Sequence, residues 1–207
     1  MFRNREEAAE MLAKRLVKYK NEQGVVLAVP RGAVPMGYHI AQELGFPLDI
    51  VLIKKIGHPS NPEFAIGAVS SHGSVVTNYP GVPKAYIEQE TIRIKELLED
   101  RYKQYVGNRQ PVELQDKTVI IVDDGIATGN TMRATINLIK ESKPKQIIVA
   151  VPVAPPEVLA RLTPEVDEMI CLEAPDYFAA VSQFYEYFPQ VSDEEVISML
   201  QHSWQEQ

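Results

Sequence analysis

Val119-Ile120-Ile121-Val122-Asp123-Asp124-Gly125-Ile126-Ala127-Thr128-Gly129-Asn130-Thr131 is the stretch whose reading decides the fold. Four β-branched apolar residues between polar flanks predict a short strand buried on both faces, as in the middle of a parallel sheet. Two carboxylates close the strand, and a turn of small residues follows. From Met132 the apolar spacing becomes helical, with Met132, Ile136 and Ile139 on one face. The loop thus lies at the carboxyl end of a strand, where open α/β sheets bind ligands. Gly125 and Gly129 let the backbone come close to a ligand, and Thr128 and Thr131 bring hydroxyls. The new helix adds unpaired N–H groups at the positive end of its dipole. Such a loop suits a phosphate, but Asp123 and Asp124 would repel one unless they hold something else. The ligand therefore joins a phosphate to a diol or a hydrated cation, as a sugar 5′-phosphate does. No Lys follows the last Gly, so this is not a Walker loop.

The same pattern recurs upstream. Val25 to Val29 read as a buried strand that runs into Pro30-Arg31-Gly32-Ala33-Val34, and Pro35 fits the first turn of a helix reaching Leu44, capped by Gly45. Leu48 to Ile53 form the next strand, ending in Lys54-Lys55 and Gly57, and neighbouring strand positions send these two lysines to opposite sides. Downstream, Gln146 to Val151 form a strand, Pro155 and Pro156 open a short helix to Leu162, and Val166 to Leu172 form another strand. Strands alternating with helices predict an α/β fold with a doubly wound parallel sheet.

The remaining segments frame this core. Asn4 and Glu7 form a candidate capping box for a helix through about Tyr19, with Ala8, Met11, Leu12, Leu16 and Tyr19 on its apolar face. Residues 58–82 are rich in Pro, Gly, Ser and Asn, and the β-like pieces Ala65–Ser70 and Ser74–Thr77 around Gly73 predict a hairpin, read as a flap over the site. His58 and His72 read as solvated loop histidines, and Glu63 is a candidate proton acceptor in the flap. Pro83 to about Val106 predict a long helix striped by Ile87, Thr91, Ile94, Leu98, Arg101 or Tyr102, and Tyr105. In the tail, Tyr177, Phe178, Phe184, Tyr185, Tyr187 and Phe188 form an aromatic cluster, and Ser192 with Glu195 caps a last helix.

Composition narrows the classes. A chain of 207 residues, 45% hydrophobic and 24% charged, suits one well-packed domain with a small appendage. A net charge of −7 without a run of Lys or Arg argues against a nucleic-acid partner. The single Cys171 excludes an internal disulfide, reads as a buried thiol and suits a reducing cytoplasm. Residues 1–20 are charged and amphipathic rather than a signal peptide, and no apolar run reaches bilayer length, so no membrane association is expected.

The central stretch resembles the phosphoribosyl pyrophosphate (PRPP) signature of the type I phosphoribosyltransferases: four apolar residues, two acids, then Ala-Thr-Gly-x-Thr. The resemblance implies one phosphoribosyltransferase-like domain over 1–207. Its core would be about 21–57 and 112–172, its flap and long helix 58–111, and its hood about 173–207. It also implies transfer of a 5-phosphoribosyl group from PRPP to a nitrogenous acceptor, a nucleobase or related heterocycle, with release of pyrophosphate. By that resemblance Asp123 and Asp124 hold the ribose hydroxyls. Gly125, Ile126, Ala127, Thr128, Gly129, Asn130 and Thr131 hold the 5′-phosphate. Arg31 and Gly32, with Lys54 or Lys55, hold pyrophosphate. Mg²⁺ would be bound mainly through PRPP and water, without a dedicated protein cage. The hood, with Asp176 and Tyr177 nearest the last strand, would receive the acceptor, and the protein would be a homodimer. Ala127 stands where members acting on 6-oxopurines carry an acid, which argues against hypoxanthine or guanine. A PRPP-sensing regulator and a different phosphosugar protein are the rival readings.

Overall fold

The computed structural model of the chain describes residues 1–70, 73–76 and 80–205. In chain order the first half runs α1 (Arg5–Leu16), β1 (Gly24–Ala28), α2 (Val34–Leu44), β2 (Leu48–Ile50), β3 (Ile53–His58), β4 (Asn61–Ser70) and β5 (Gly73–Val76). The second half runs α3 (Lys84–Val106), β6 (Thr118–Val122), α4 (Asn130–Glu141), β7 (Gln146–Val153), α5 (Pro156–Leu162), β8 (Glu168–Glu173) and α6 (Asp193–Gln205). The main sheet is parallel, in the order β2-β1-β6-β7-β8. Its central strands are buried on both faces because alternate residues feed two cores. Val26, Ala28, Ile120 and Val122 pack with α1, α2 and α6. Val25, Leu27, Val119 and Ile121 pack with α4 and α5. This is the α/β doubly wound sheet expected from the apolar runs.

The winding reverses between β1 and β6. From β1 the chain moves outward to β2, and from β6 it moves the other way to β7 and β8. The loops leaving β1 and β6 therefore diverge to opposite faces and open a crevice between them, the topological switch point of such sheets.

Several boundaries differ from expectation. The predicted strand Leu48–Ile53 divides: β2 ends at Ile50, the Val51 N–H still bonds Ala28 O at 3.0 Å, and Ile53 begins a separate antiparallel ribbon. Lys54 and Lys55 thus belong to the ribbon and not to the end of a sheet strand. The ribbon has three strands, β3-β4-β5, because β4 starts at Asn61 and pairs with β3 as well as with β5. It lies against α3 and α4. Parts of the predicted flap, His72 and Thr77 among them, lie outside the described residues, as does the Glu63 side chain. β7 runs on to Val153 and β8 ends at Glu173, each past its predicted limit.

At the N-terminus, Asn4 Oδ1 accepts from Glu7 N–H at 3.0 Å, as the capping box requires. The Glu7 carboxylate, however, turns to Arg3, taking its N–H at 2.6 Å and its Nε at 2.8 Å. Met11 is 42% exposed, and Ala9 and Ala13 take its place on the buried face of α1. Among the described residues no helix is long and apolar enough to cross a membrane.

Candidate active site

Two loops meet at the switch point. Val29 to Ala33 connect β1 to α2, and residues 123–129 connect β6 to α4. They touch at Gly32, where a Cβ would lie 2.0 Å from Asp124 Oδ2, so only glycine lets the carboxylate sit against that backbone. The Pro30–Arg31 peptide is cis.

The acid pair does not act as two equivalent groups. Asp123 Oδ1 accepts from the Asp124 N–H at 2.9 Å, and no cation among the described residues pairs with it. Burial and then the neighbouring Asp124 charge push the Asp123 carboxyl well above the ordinary carboxylate range. Asp124 Oδ2 accepts from Arg5 Nε at 3.0 Å and Nη2 at 2.9 Å, and this pair is mostly buried. Burial raises the Asp124 carboxyl and Arg5 opposes that shift. Neither side chain is sealed inside solid protein, but Asp124 already has a protein partner that the sequence did not reveal.

The following turn is built to present amides. Ile126 N–H bonds Val153 O at 2.9 Å and its side chain is buried, which anchors the turn. Gly129 has φ 75°, the left-handed region, and a Cβ there would meet Val158 at 2.7 Å. Arg161 Nη2 donates to Thr128 O at 2.5 Å and so holds the outer side. Ala127, Thr128, Asn130 and Thr131 are exposed, and no described residue accepts from the N–H groups of 127–131. A row of free amides at the start of α4 suits an anion.

Beside this turn, a cleft of about 330 Å³ is lined by Arg31, Lys54, Arg101, Tyr105 and Thr131, with Leu97 and Leu98 behind. Three cations and the first turn of α4 thus share one space. Lys55 is not in its lining, as strand alternation requires. Arg31 is held loosely, its Nη1 3.4 Å from Asp193 Oδ1, an oxygen that also accepts from Tyr105 Oη at 2.6 Å. The sequence pointed to Arg31 and to Lys54 or Lys55, and offered Arg101 only as an alternative to Tyr102 on a helical stripe.

The C-terminal segment closes over the acid loop. Tyr185 is buried and its hydroxyl donates to Asp124 O at 2.7 Å, while Phe188 stacks on Tyr185 at 4.6 Å. Val181 sits where a Cβ on Gly125 would meet it at 2.6 Å. Phe178 and Phe184 pack together at 5.0 Å, whereas Tyr177 and Tyr187 are exposed. The cluster is thus part core and part surface. The expected box at Ser192 forms in both directions, Glu195 N–H to Ser192 Oγ at 3.2 Å and Ser192 N–H to Glu195 Oε2 at 2.7 Å. Cys171 is partly exposed, and burial pushes its thiol up to about 11, so it remains protonated at neutral pH.

A two-faced α/β sheet with an acidic, glycine-bearing loop and a cationic cleft at its switch point fits one class, the phosphoribosyl transferases. The chain belongs to that family: the phosphoribosyl transferase domain model matches residues 3–189. A Mycobacterium tuberculosis protein provisionally named a phosphoribosyl transferase, in strains H37Rv and CDC 1551, is 35% identical over 205 residues, 97% of this chain. The chain spans 46% of the length of that relative. The crystal structure of TT1426 from Thermus thermophilus is 38% identical, covers 98% of both chains and superposes with a TM-score of 0.88. The hypoxanthine-guanine phosphoribosyl transferase of L. donovani, at 12% identity and TM-score 0.51 over 91% of this chain and 95% of that one, shares the fold.

Proposed function

We propose that the protein is a PRPP-dependent phosphoribosyltransferase. The observation that carries this reading is the contact of two unlike clamps at one crevice. A carboxylate and free-amide loop follows β6, and a cationic cleft around Arg31, Lys54 and Arg101 lies beside it. One clamp suits a ribose 5-phosphate and the other suits pyrophosphate, and PRPP is the molecule that joins the two.

The reaction then balances simply. The lone pair of an acceptor nitrogen forms a bond to the anomeric carbon. The bond from that carbon to the pyrophosphate oxygen breaks, and its electron pair leaves with pyrophosphate. The proton lost from the acceptor nitrogen passes to solvent or to a base on the acceptor side. Positive charge develops on the ribose, and Asp123 lies next to it, so the carboxylate stabilises that charge more than the ground state. Backbone amides of 127–131 hold the 5′-phosphate and fix the sugar while its other end reacts. Arg31, Lys54 and Arg101 neutralise the leaving group.

Asp123 also fits a role toward Mg²⁺, as a carboxylate with no cationic partner among the described residues. No cluster of three or more His, Cys, Asp or Glu suited to a metal is present among the described residues, so the other ligands would be PRPP oxygens and water. When bound, Mg²⁺ supplies charge neutralisation to the pyrophosphate. Ala127 leaves the turn without a side-chain base, which favours acceptors that need none there. A nucleobase or related heterocycle, a cytoplasmic setting and a homodimer complete the proposal.

The test is incubation with PRPP and Mg²⁺ against a panel of nitrogenous bases, reading pyrophosphate. Release with at least one acceptor is the expected result. PRPP binding without pyrophosphate from any acceptor would overturn the enzyme and leave a PRPP-sensing regulator.

A further inference from the structure

Arg5 is anchored three ways. Its Nε and Nη2 reach Asp124 Oδ2, its Nη1 donates to Pro189 O at 2.7 Å, and its guanidinium lies 3.7 Å over the Phe188 ring. Phe188 stacks on Tyr185, and Tyr185 returns to Asp124 through the backbone carbonyl. The contacts close a ring from the first turn of α1 through the acid loop to the C-terminal segment. Burying an ion pair gains little stability over apolar packing. An arginine in a first helical turn also works against the helix dipole. Stability alone therefore explains this residue poorly.

We propose that Arg5 is a positioning residue for the sugar: it fixes Asp124 Oδ2 so that Oδ1 is presented to the ribose diol, and it ties that presentation to the seated C-terminal segment. The inference rests on the PRPP reading. No other described residue hydrogen-bonds Oδ1, so one oxygen remains to accept from a hydroxyl. Arg5 also leaves the acid pair with one uncompensated carboxylate in place of two, which lowers its repulsion of a phosphorylated ligand.

Calorimetry on the full chain with two probes separates the possibilities. Ribose 5-phosphate carries the diol, and Mg²⁺-pyrophosphate does not. Arg5→Met should weaken ribose 5-phosphate at least about tenfold, the usual scale for a lost charged hydrogen bond. It should leave pyrophosphate within about twofold. Asp124→Asn added to Arg5→Met should cost little more, since the two act as a unit. Should Arg5→Met not fold, Arg5→Lys, which keeps the charge without the fork, and Phe188→Leu, which removes the stack, read the same ratio. Equal losses for both probes would reduce Arg5 to a scaffold residue. Unchanged or tighter ribose 5-phosphate binding would overturn the proposal and mark Arg5 as indifferent or obstructive. A wild-type protein that binds neither PRPP nor ribose 5-phosphate would instead remove the PRPP reading, and this inference with it.

Discussion

The two halves of the crevice are built to different standards. The loop after β6 is held at almost every residue: Asp124 by Arg5 and Tyr185, Ile126 by Val153, Thr128 by Arg161, and Gly129 by its packing on Val158. The cationic side is slack. Arg31 is 42% exposed with one 3.4 Å contact, and Lys54 is exposed. The difference suits the two ends of the PRPP we propose as ligand. A ribose must be oriented to within a fraction of an ångström before its anomeric carbon can react, and that requires a prebuilt mould. Pyrophosphate has only to be neutralised and released, and loosely held cations do that without binding the product too firmly.

The largest expected effect attacks the mould at its least favourable charge. Asp123 has a folded-state carboxyl raised by burial, so the folded chain resists its ionisation. Such a group favours the fold below its unfolded value of 3.8, and that contribution is lost as pH rises through the folded value. Asp123→Asn should therefore stabilise the metal-free protein near pH 7 by about 0.5–2 kcal/mol, the common gain on relaxing a functional site. The gain should disappear below the ordinary carboxylate range. The same variant should lose ribose 5-phosphate affinity by about 100-fold, as expected for a charged acceptor of sugar hydroxyls. Thermal melts across pH, paired with calorimetry, check both. A substitution that destabilises at pH 7 breaks the reading that the folded chain holds the Asp123 charge at a cost.

Gly129→Val tests whether the mould depends on backbone shape. The residue would need a left-handed conformation and would strike Val158, costing about 2–4 kcal/mol in strain and clash. Denaturant melts should show that loss, and ribose 5-phosphate binding should fall by about tenfold even where the chain remains folded. Pyrophosphate affinity should hardly change.

This asymmetry also explains what could be read from the sequence. Loop 123–131 was legible because its residues are contiguous and each constrains the backbone: a buried run, two acids, two glycines and a helix start. Arg31 and Lys54 were legible as cations close to strand ends, although the strand carrying Lys54 turned out to belong to a ribbon. Arg5 and Tyr185 were not, since they reach Asp124 across 119 and 61 positions, and Phe188 joins them only by packing on both, so only folding brings them together. The one local sign was Arg5 itself, a cation in a first helical turn next to Glu6 and Glu7, where acids belong. The aromatic tail was ambiguous for a related reason. Packed and exposed rings, such as Tyr185 and Tyr187, have the same composition and differ only in which neighbour arrives.

On the slack side the effects should be smaller and purely electrostatic. Arg31→Ala should lower Mg²⁺-pyrophosphate affinity by about tenfold and leave stability within about 0.5 kcal/mol, as for an exposed loop charge. Lys54→Ala should cost about threefold and Lys55→Ala nothing measurable, because only Lys54 faces the cleft. All three affinities should converge as salt is raised, since exposed charges are screened. Equal losses at Lys54 and Lys55 would show that the ribbon rearranges around its ligand.

The smallest effect has the sharpest sign. Asp193 holds Arg31 through the same oxygen that takes the Tyr105 hydroxyl, so under the proposed function pyrophosphate would draw Arg31 away from a competing carboxylate. The Tyr105 hydrogen bond, and after it Arg31, lowers the Asp193 carboxyl below its ordinary value. Its tether is therefore present at all pH values above the ordinary carboxylate range and is lost only as pH falls through the lowered folded value. Asp193→Asn should consequently tighten Mg²⁺-pyrophosphate by about twofold, the scale of an exposed pair, and equally at about pH 6 and pH 8. Weaker binding would mean that the start of α6 orients Arg31 toward the ligand and does not restrain it. In that case the cationic side is preorganised too, and the contrast between the two halves fails.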